Sequence, residues 1–270
     1  MITFEKVSFH HPNGQMALQD VNLDITPGEI TAIVGENGAG KTTLVRHING
    51  LLKPSEGEVS VLGMNTRKVS IAKLSKLVGI VFQNADHQLF SDTVSNEILF
   101  GLTNFHFSET ASRQRLEWAL EHFDLKDYRE RSPMMLSGGE KKRLCIACIL
   151  AWDPQIIILD EPTVGQDYFQ KERIREMLVE QRDAGKIVII VSHDIEFLWP
   201  LQPKLIAMSS GSVIAHGAAS EVLSREDIIQ RSKLITPQLL DLWKKVPLEG
   251  DPPSDVKEAA ERISKLSTWI

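Results

Sequence analysis

The stretch GENGAGKT, from Gly35 to Thr42, fits the spacing G-x-x-x-x-G-K-[ST] and joins an apolar run to a helical pattern. Glycines such as Gly35, Gly38 and Gly40 let backbone N–H groups approach an anion closely, and the start of a helix adds a positive partial charge. Asn37, Ala39 and the following Thr43 complete the predicted row of phosphate contacts. Lys41 has the reach for β- and γ-phosphates, while the Thr42 hydroxyl suits Mg²⁺. The chemistry expected here is binding of ATP with Mg²⁺.

A second set of groups suits cleavage of the terminal phosphate. IIILDE, residues 156–161, is an apolar strand ending in two adjacent carboxylates. Neighbouring strand residues point to opposite faces, so Asp160 and Glu161 have different tasks if the strand geometry persists. Asp160 is suited to the Mg²⁺ shell. Glu161 is then free to accept a hydrogen bond from water attacking the γ-phosphate. His193 in VSHD and Gln83 after LVGIVF sit at the ends of further apolar strands, where ligands collect in parallel sheets. A lone histidine is often only structural; its expected place beside the carboxylates recommends His193 as catalytic. Gln83 is placed to sense the metal or the water.

LSGGEKKR, residues 136–143, resembles a second phosphate-style turn. Ser137, Gly138 and Gly139 open a helix whose free N–H groups would attract an anion. A plain serine cap accounts for Ser137. It does not account for two successive glycines, which weaken a first turn entropically.

These groups need elements to hold them. ITFEKVSF, LQDVNLDI and EITAIVG read as strands separated by turns. KTTLVRHINGLL places Leu44, Ile48, Leu51 and Leu52 on one helical face. EVSVLG and LVGIVFQ are further strands, and the pattern turns helical from about Asp92 to Asp153. IIILD and IVIIVS flank DYFQKERIREMLVEQRDAG, a charged amphipathic helix ending near Gly185. Strand–helix–strand order predicts an α/β fold with right-handed crossovers and a mostly parallel core sheet. KLIAM and SVIAHG complete that body near residue 217. Beyond lie short helical stretches, a TPQLL segment, the loop PLEGDPPSD and a last helix, DVKEAAERISKL. Proline and acidic density make the loop a solvated linker.

The bulk properties narrow the function classes. At 270 residues the chain is long enough for one large domain with an appendage. Its net charge of −6 argues against a broad nucleic-acid footprint. The longest apolar runs fall well short of the roughly 20 residues that span a bilayer. The N-terminus lacks a signal-peptide layout, so a cytoplasmic chain is expected, with any membrane role exercised through a partner. Cys145 and Cys148 lie in LCIACIL with no second pair and no nearby histidine. They read as small packed helix residues, not a metal or redox pair.

The order of phosphate loop, Gln83, LSGGE, LDE and SHD resembles the ATP-binding-cassette ATPase family over roughly residues 2–220. That resemblance implies an ABC-type P-loop NTPase with an N-terminal antiparallel β region. It further implies a cassette over residues 1–220, with a helical subdomain inserted at about 85–153, and a C-terminal helical extension over 221–270. In the family two cassettes pair head to tail around two ATP molecules. Ser137, Gly138 and Gly139 would then cover the γ-phosphate held by a partner, with Asp167 of TVGQD across the same interface. His11 occupies the place of the ring that stacks on adenine.

FQNADHQLF is similar to the glutamine loop of energy-coupling-factor importers and their cobalt or nickel relatives, with Ala85 replacing a proline. TPQLLDL is similar to the C-terminal extension that helps hold their two ATPases together. The implied function is the ATP-hydrolysing subunit of a vitamin or transition-metal importer, peripheral at the cytoplasmic face of the membrane. Its partners would be a second ATPase (identical or homologous), an integral membrane coupling protein and a substrate-capture subunit. Glu140 departs from the usual glutamine, and Gln166 and Tyr168 depart from the leucine and proline around Asp167. The core motifs equally suit an exporter ATPase. A cassette acting on nucleic acid or the ribosome usually carries a coiled-coil insertion or a second cassette, and neither is visible.

Overall fold

A computed structural model describes residues 1–245 and 250–266. In chain order it holds β1 (Ile2–His10), β2 (Met16–Ile25), β3 (Ile30–Gly35), α1 (Lys41–Ile48), β4 (Glu56–Val61), β5 (Met64–Asn65), α2 (Ile71–Ser75) and β6 (Val78–Val81). Helices α3 (Val94–Asn104), α4 (Glu109–His122) and α5 (Gly138–Ala151) follow. Next come β7 (Ile156–Asp160), α6 (Tyr168–Asp183), β8 (Ile187–Val191), α7 (Ile195–Leu198), β9 (Lys204–Ser209) and β10 (Ser212–Ala218). The described chain ends in α8 (Ala219–Val222), α9 (Glu226–Ser232), α10 (Gln238–Lys245) and α11 (Val256–Leu266).

Two sheets result. One has the order β2-β1-β4-β5, with antiparallel pairing throughout. The other has the order β10-β9-β3-β8-β7-β6, in which β9, β3, β8, β7 and β6 run parallel and β10 is antiparallel. All residues of β3, β6, β7 and β8 are buried. That is why these strands are continuously apolar: both faces of a parallel sheet are covered. Alternation sorts them, with Val188 and Ile190 facing the cluster that includes α3–α5 residues, and Ile187, Ile189 and Val191 facing the cluster built from the first sheet and α1.

The fold matches the expected mostly parallel α/β body with an antiparallel N-terminal region. Two local expectations fail. Helix α1 stops at Ile48, so Leu51 and Leu52 do not extend its apolar face, and Leu51 is 47% exposed. The cause is the Asn49–Gly50 turn: the Asn49 side chain accepts the Leu51 N–H at 3.0 Å, and Gly50 has φ 75°. The second failure is the linker PLEGDPPSD, of which Pro247, Leu248 and Glu249 lie outside the described residues. Its remainder is loop, with Gly250, Asp251 and Asp255 exposed as expected, but Pro253 is buried against the body. Buried Trp199 donates its indole N–H to the Pro253 carbonyl at 2.9 Å. Trp243 donates to the Gly250 carbonyl at 3.3 Å, and the Arg262 guanidinium lies 5.5 Å from the Trp243 ring centre. Composition marks this segment as loop, but its carbonyls serve as the acceptors that buried indoles need.

Lys233, at the left-handed end of α9, pairs with Glu36 of the phosphate loop. Among the described residues no helix is long and apolar enough to cross a membrane. Burial pushes the Cys145 thiol up to about 12 and raises Cys148 well above its ordinary range, as suits packed, unreactive thiols.

Candidate functional site

The ends of β3, β6, β7 and β8 converge, and each delivers one expected group. After β3 the chain makes the loop that enters α1. A Cβ on Gly35 would sit 2.3 Å from the Met208 carbonyl oxygen, and one on Gly40 would sit 2.6 Å from that of Ala17. With φ of 144° and 100°, both positions admit only glycine. Gly40 caps α1 without any side-chain hydrogen bond, so the first-turn N–H groups have no side-chain cap. Buried Lys41 donates from Nζ to the carbonyls of Gly35 at 2.7 Å and Glu36 at 3.0 Å. Burial lowers its proton affinity, while the carboxylates of Glu161, Asp160 and Glu36 oppose that effect.

Thr42 donates its hydroxyl to Asp160 Oδ2 at 3.1 Å. Asp160 is only 3% exposed, and burial raises its carboxyl above the usual range against the Thr42 bond. These two oxygen donors, converging at the loop, fit a hard divalent cation such as Mg²⁺.

Strand geometry does not continue into Glu161, whose φ is 49°. The turn is pinned by the Glu161 N–H donating to the Val191 carbonyl at 2.8 Å. The two carboxylates still diverge, because Glu161 turns toward β8. Its Oε2 accepts from the Ser192 hydroxyl at 3.2 Å, and its Oε1 lies 2.7 Å from His193 Nδ1. A buried carboxylate oriented by two neighbours can accept a hydrogen bond from water.

A cleft of about 330 Å³ gathers His11, Lys41, Thr42, Gln83, Asp160 and Glu161. Asn37, Gly38, Gly40 and Thr43 line it too, as do Gln15, Met16 and Ala17, which sequence reasoning missed. The Phe9 ring meets the His11 ring edge-on at 5.2 Å and supports it. Gly35 and Ala39 lie behind the loop: the Gly35 carbonyl holds Lys41, and the Ala39 carbonyl accepts the Gly211 N–H at 3.0 Å. His193 does not line the cleft and meets it through Glu161.

Ser137, Gly138, Gly139 and Asp167 do not line this cleft. Ser137 caps α5 in a reciprocal box, receiving the Glu140 N–H at 3.4 Å and donating its own N–H to Glu140 Oε2 at 2.7 Å. The Tyr128 hydroxyl, then the Ser137 groups, hold the Glu140 carboxyl at about 2. The glutamate that departs from the family pattern is therefore the second half of a helix cap. A Cβ on Gly139 would lie 3.1 Å from the Gly165 carbonyl oxygen, and Gln166 Nε2 donates to the Gly139 carbonyl at 3.3 Å. A Cβ on Gly138 would meet nothing within 4 Å. Asp167 caps α6 by accepting the Gln170 N–H at 2.9 Å.

Sequence reasoning also missed Lys142, which is buried and points at the ends of β6 and β7. A signal existed: Lys142 shares the apolar stripe of Cys145, Ile146 and Ile149 along α5.

Comparison with known proteins places the chain in a family. The model of the ABC transporter family matches residues 18–164. The energy-coupling factor transporter ATP-binding protein EcfA of Methanothermobacter thermautotrophicus is 40% identical over 252 residues, covering 93% of this chain and 81% of that protein. Among solved structures, cbiO1 of Clostridium perfringens, part of the ABC transporter complex cbiONQ, is similar with a TM-score of 0.75 and 35% identity, over 90% of this chain and 98% of that one. A dimeric ATP-binding cassette in a post-hydrolysis state with ADP and Pi is similar with a TM-score of 0.73 and 30% identity, over 81% and 98%. Phosphate loop, paired carboxylates and cassette fold thus coincide in one chain, which belongs to the ABC transporter family and is an ATP-hydrolysing cassette of it.

Proposed function

We propose that this ATPase drives an importer of the energy-coupling-factor type, as one half of a head-to-tail ATPase pair on the cytoplasmic face of the membrane. The observation that carries the pairing is the division of the motif residues. His11, the phosphate loop, Gln83, Asp160 and Glu161 share a cleft, whereas Ser137, Gly138, Gly139 and Asp167 stand apart from it. The open space beside Gly138 leaves room for a group from outside the chain. A second cassette, identical or homologous, would bring its own serine–diglycine turn to this chain's nucleotide. The dimeric relative supports that reading, and the names EcfA and cbiONQ support the importer class.

In this reading His11 stacks on adenine, and the amides from Gly35 to Thr43, with Lys41, hold the phosphates. Thr42, Asp160 and Gln83 would hold Mg²⁺, which when bound neutralises charge developing on the β- and γ-phosphate oxygens. Glu161 accepts a hydrogen bond from the attacking water, and Ser192 and His193 fix its orientation. Residues 1–220 form the cassette, with about 85–153 as its helical subdomain. The segment 221–270 forms the extension that meets the second ATPase. The membrane partners are an integral coupling protein and a substrate-capture subunit for a vitamin or transition metal. The acidic balance supports the absence of a nucleic-acid partner.

Ser137→Arg tests the pairing. The variant should bind ATP as the natural chain does, because the turn lies outside its own cleft. Hydrolysis, followed as rate per chain against protein concentration, should fall by about 100-fold or more, the scale of losing a positioned transition-state donor. Undiminished hydrolysis would overturn the shared site.

A further inference from the structure

We propose that Lys142 is a positioning residue for ATP hydrolysis, clamping the helix that begins at the serine–diglycine turn to Gln83 and Asp160 of its own chain. The proposal rests on the assignment of those residues above. Lys142 is 3% exposed. Its Nζ lies 3.0 Å from the Phe82 carbonyl oxygen, 2.9 Å from that of Gln83 and 3.4 Å from that of Asp160. An ammonium group has three donors and no acceptor, so these carbonyls occupy all of it.

Their origins matter. Phe82 and Gln83 follow β6, and Asp160 ends β7, so one cation on α5 grips two neighbouring strand ends. Asp160 is thereby held twice, through its backbone carbonyl by Lys142 and through its carboxylate by Thr42. The preceding residue strengthens the attachment: Lys141 Nζ pairs with Asp86 at 2.6 Å in the segment that carries Gln83. That segment is also tied to its own strand, by the Gln88 side chain bonding to the Phe82 N–H and the Ile80 carbonyl at 3.1 Å each, and to α1, where the Arg46 guanidinium lies 5.9 Å from the Phe82 ring centre. The lysine pair is its polar link to α5, beside the apolar packing of Ala85 and Leu89 in the core cluster that α5 shares.

A methyl-terminated side chain would fill this space without taking a charge out of water, so packing alone gives no reason for an ammonium here. What the ammonium supplies is a directional tie. A displacement of α5 produced at Ser137 must carry the Gln83 and Asp160 carbonyls with it, or break their bonds.

The test compares Lys142→Met with Lys142→Gln and Glu161→Gln in the full chain. Lys142→Met should keep KM for ATP near the natural value while kcat falls about 10- to 100-fold, the usual effect of removing a partner that orients a site ligand. Lys142→Gln, with two amide donors, should recover part of kcat, and it replaces the methionine variant if that one fails to fold. Amide hydrogen exchange gives a readout free of turnover. ADP binding to the dilute natural chain should alter exchange in residues 82–88 and 138–143 together; in Lys142→Met only the first window should respond. Natural kcat and joint exchange in a folded Lys142 variant would overturn the clamp, even if its melting temperature fell. Normal hydrolysis by Glu161→Gln would instead overturn the underlying site assignment.

Discussion

In the proposed mechanism turnover depends most directly on Glu161, whose carboxylate two neighbours orient and which follows the strand that ends in Asp160. Glu161→Gln should retain ATP binding by calorimetry while hydrolysis drops by about 10²- to 10⁴-fold, the range for a lost general base. Lys41→Ala should weaken nucleotide binding sharply in the same titration, because Lys41 is the lysine of the phosphate cleft. His47 makes a different prediction. It is fully buried, its Nδ1 lies 2.8 Å from the Thr43 carbonyl, and its Nε2 has no hydrogen-bond partner among the described residues. Burial lowers its proton affinity, so the unfolded chain binds the proton more readily just below about pH 6.5. Stability attributable to His47 is therefore present above that pH and lost as pH falls toward the folded value. Melting curves of His47→Gln should show a shallower decline through this window than the natural chain. Motif residues at this scale were largely legible, because glycine, lysine and carboxylate at fixed spacing have one economical use. The contacts of Lys142 were not legible, since its partners are backbone carbonyls that leave no trace in residue type.

Elements were legible where burial dictates composition. The strands of the parallel sheet are apolar throughout because both faces are covered, and their ends locate the site. What escaped was set by pairing or by local turns. The two-residue β5 exists through its ladder with β4, not through any pattern of its own. The stop of α1 was written in Asn49–Gly50, which outweighs the apolar Leu51 and Leu52 that suggest continuation. The contact between the α5 turn and the loop before α6 yields an element-scale prediction. Gly139→Ala would press a methyl group against the Gly165 carbonyl and disturb the Gln166 hydrogen bond. Denaturant midpoints should show a loss of about 1–3 kcal/mol, as for other overpacked contacts.

For the whole molecule, family membership and the α/β body followed from the sequence, but the state of the final segment did not. A run rich in proline and acid reads as solvated, while its docking depends on Trp199, more than fifty residues earlier, whose indole donates to Pro253 (|i−j| of 54). Trp199→Phe should leave that carbonyl without its donor and lower stability by about 1–3 kcal/mol. Limited proteolysis should then cut the segment 250–266 faster than in the natural chain.

The Lys233–Glu36 pair ties the end of α9 to the loop between β3 and α1. Glu36 also lends Lys41 a carbonyl, so a force that drags α9 outward is delivered one residue from the first loop glycine. If the loop holds a triphosphate as proposed, a shift of α9 would be felt beside the lysine that grips it.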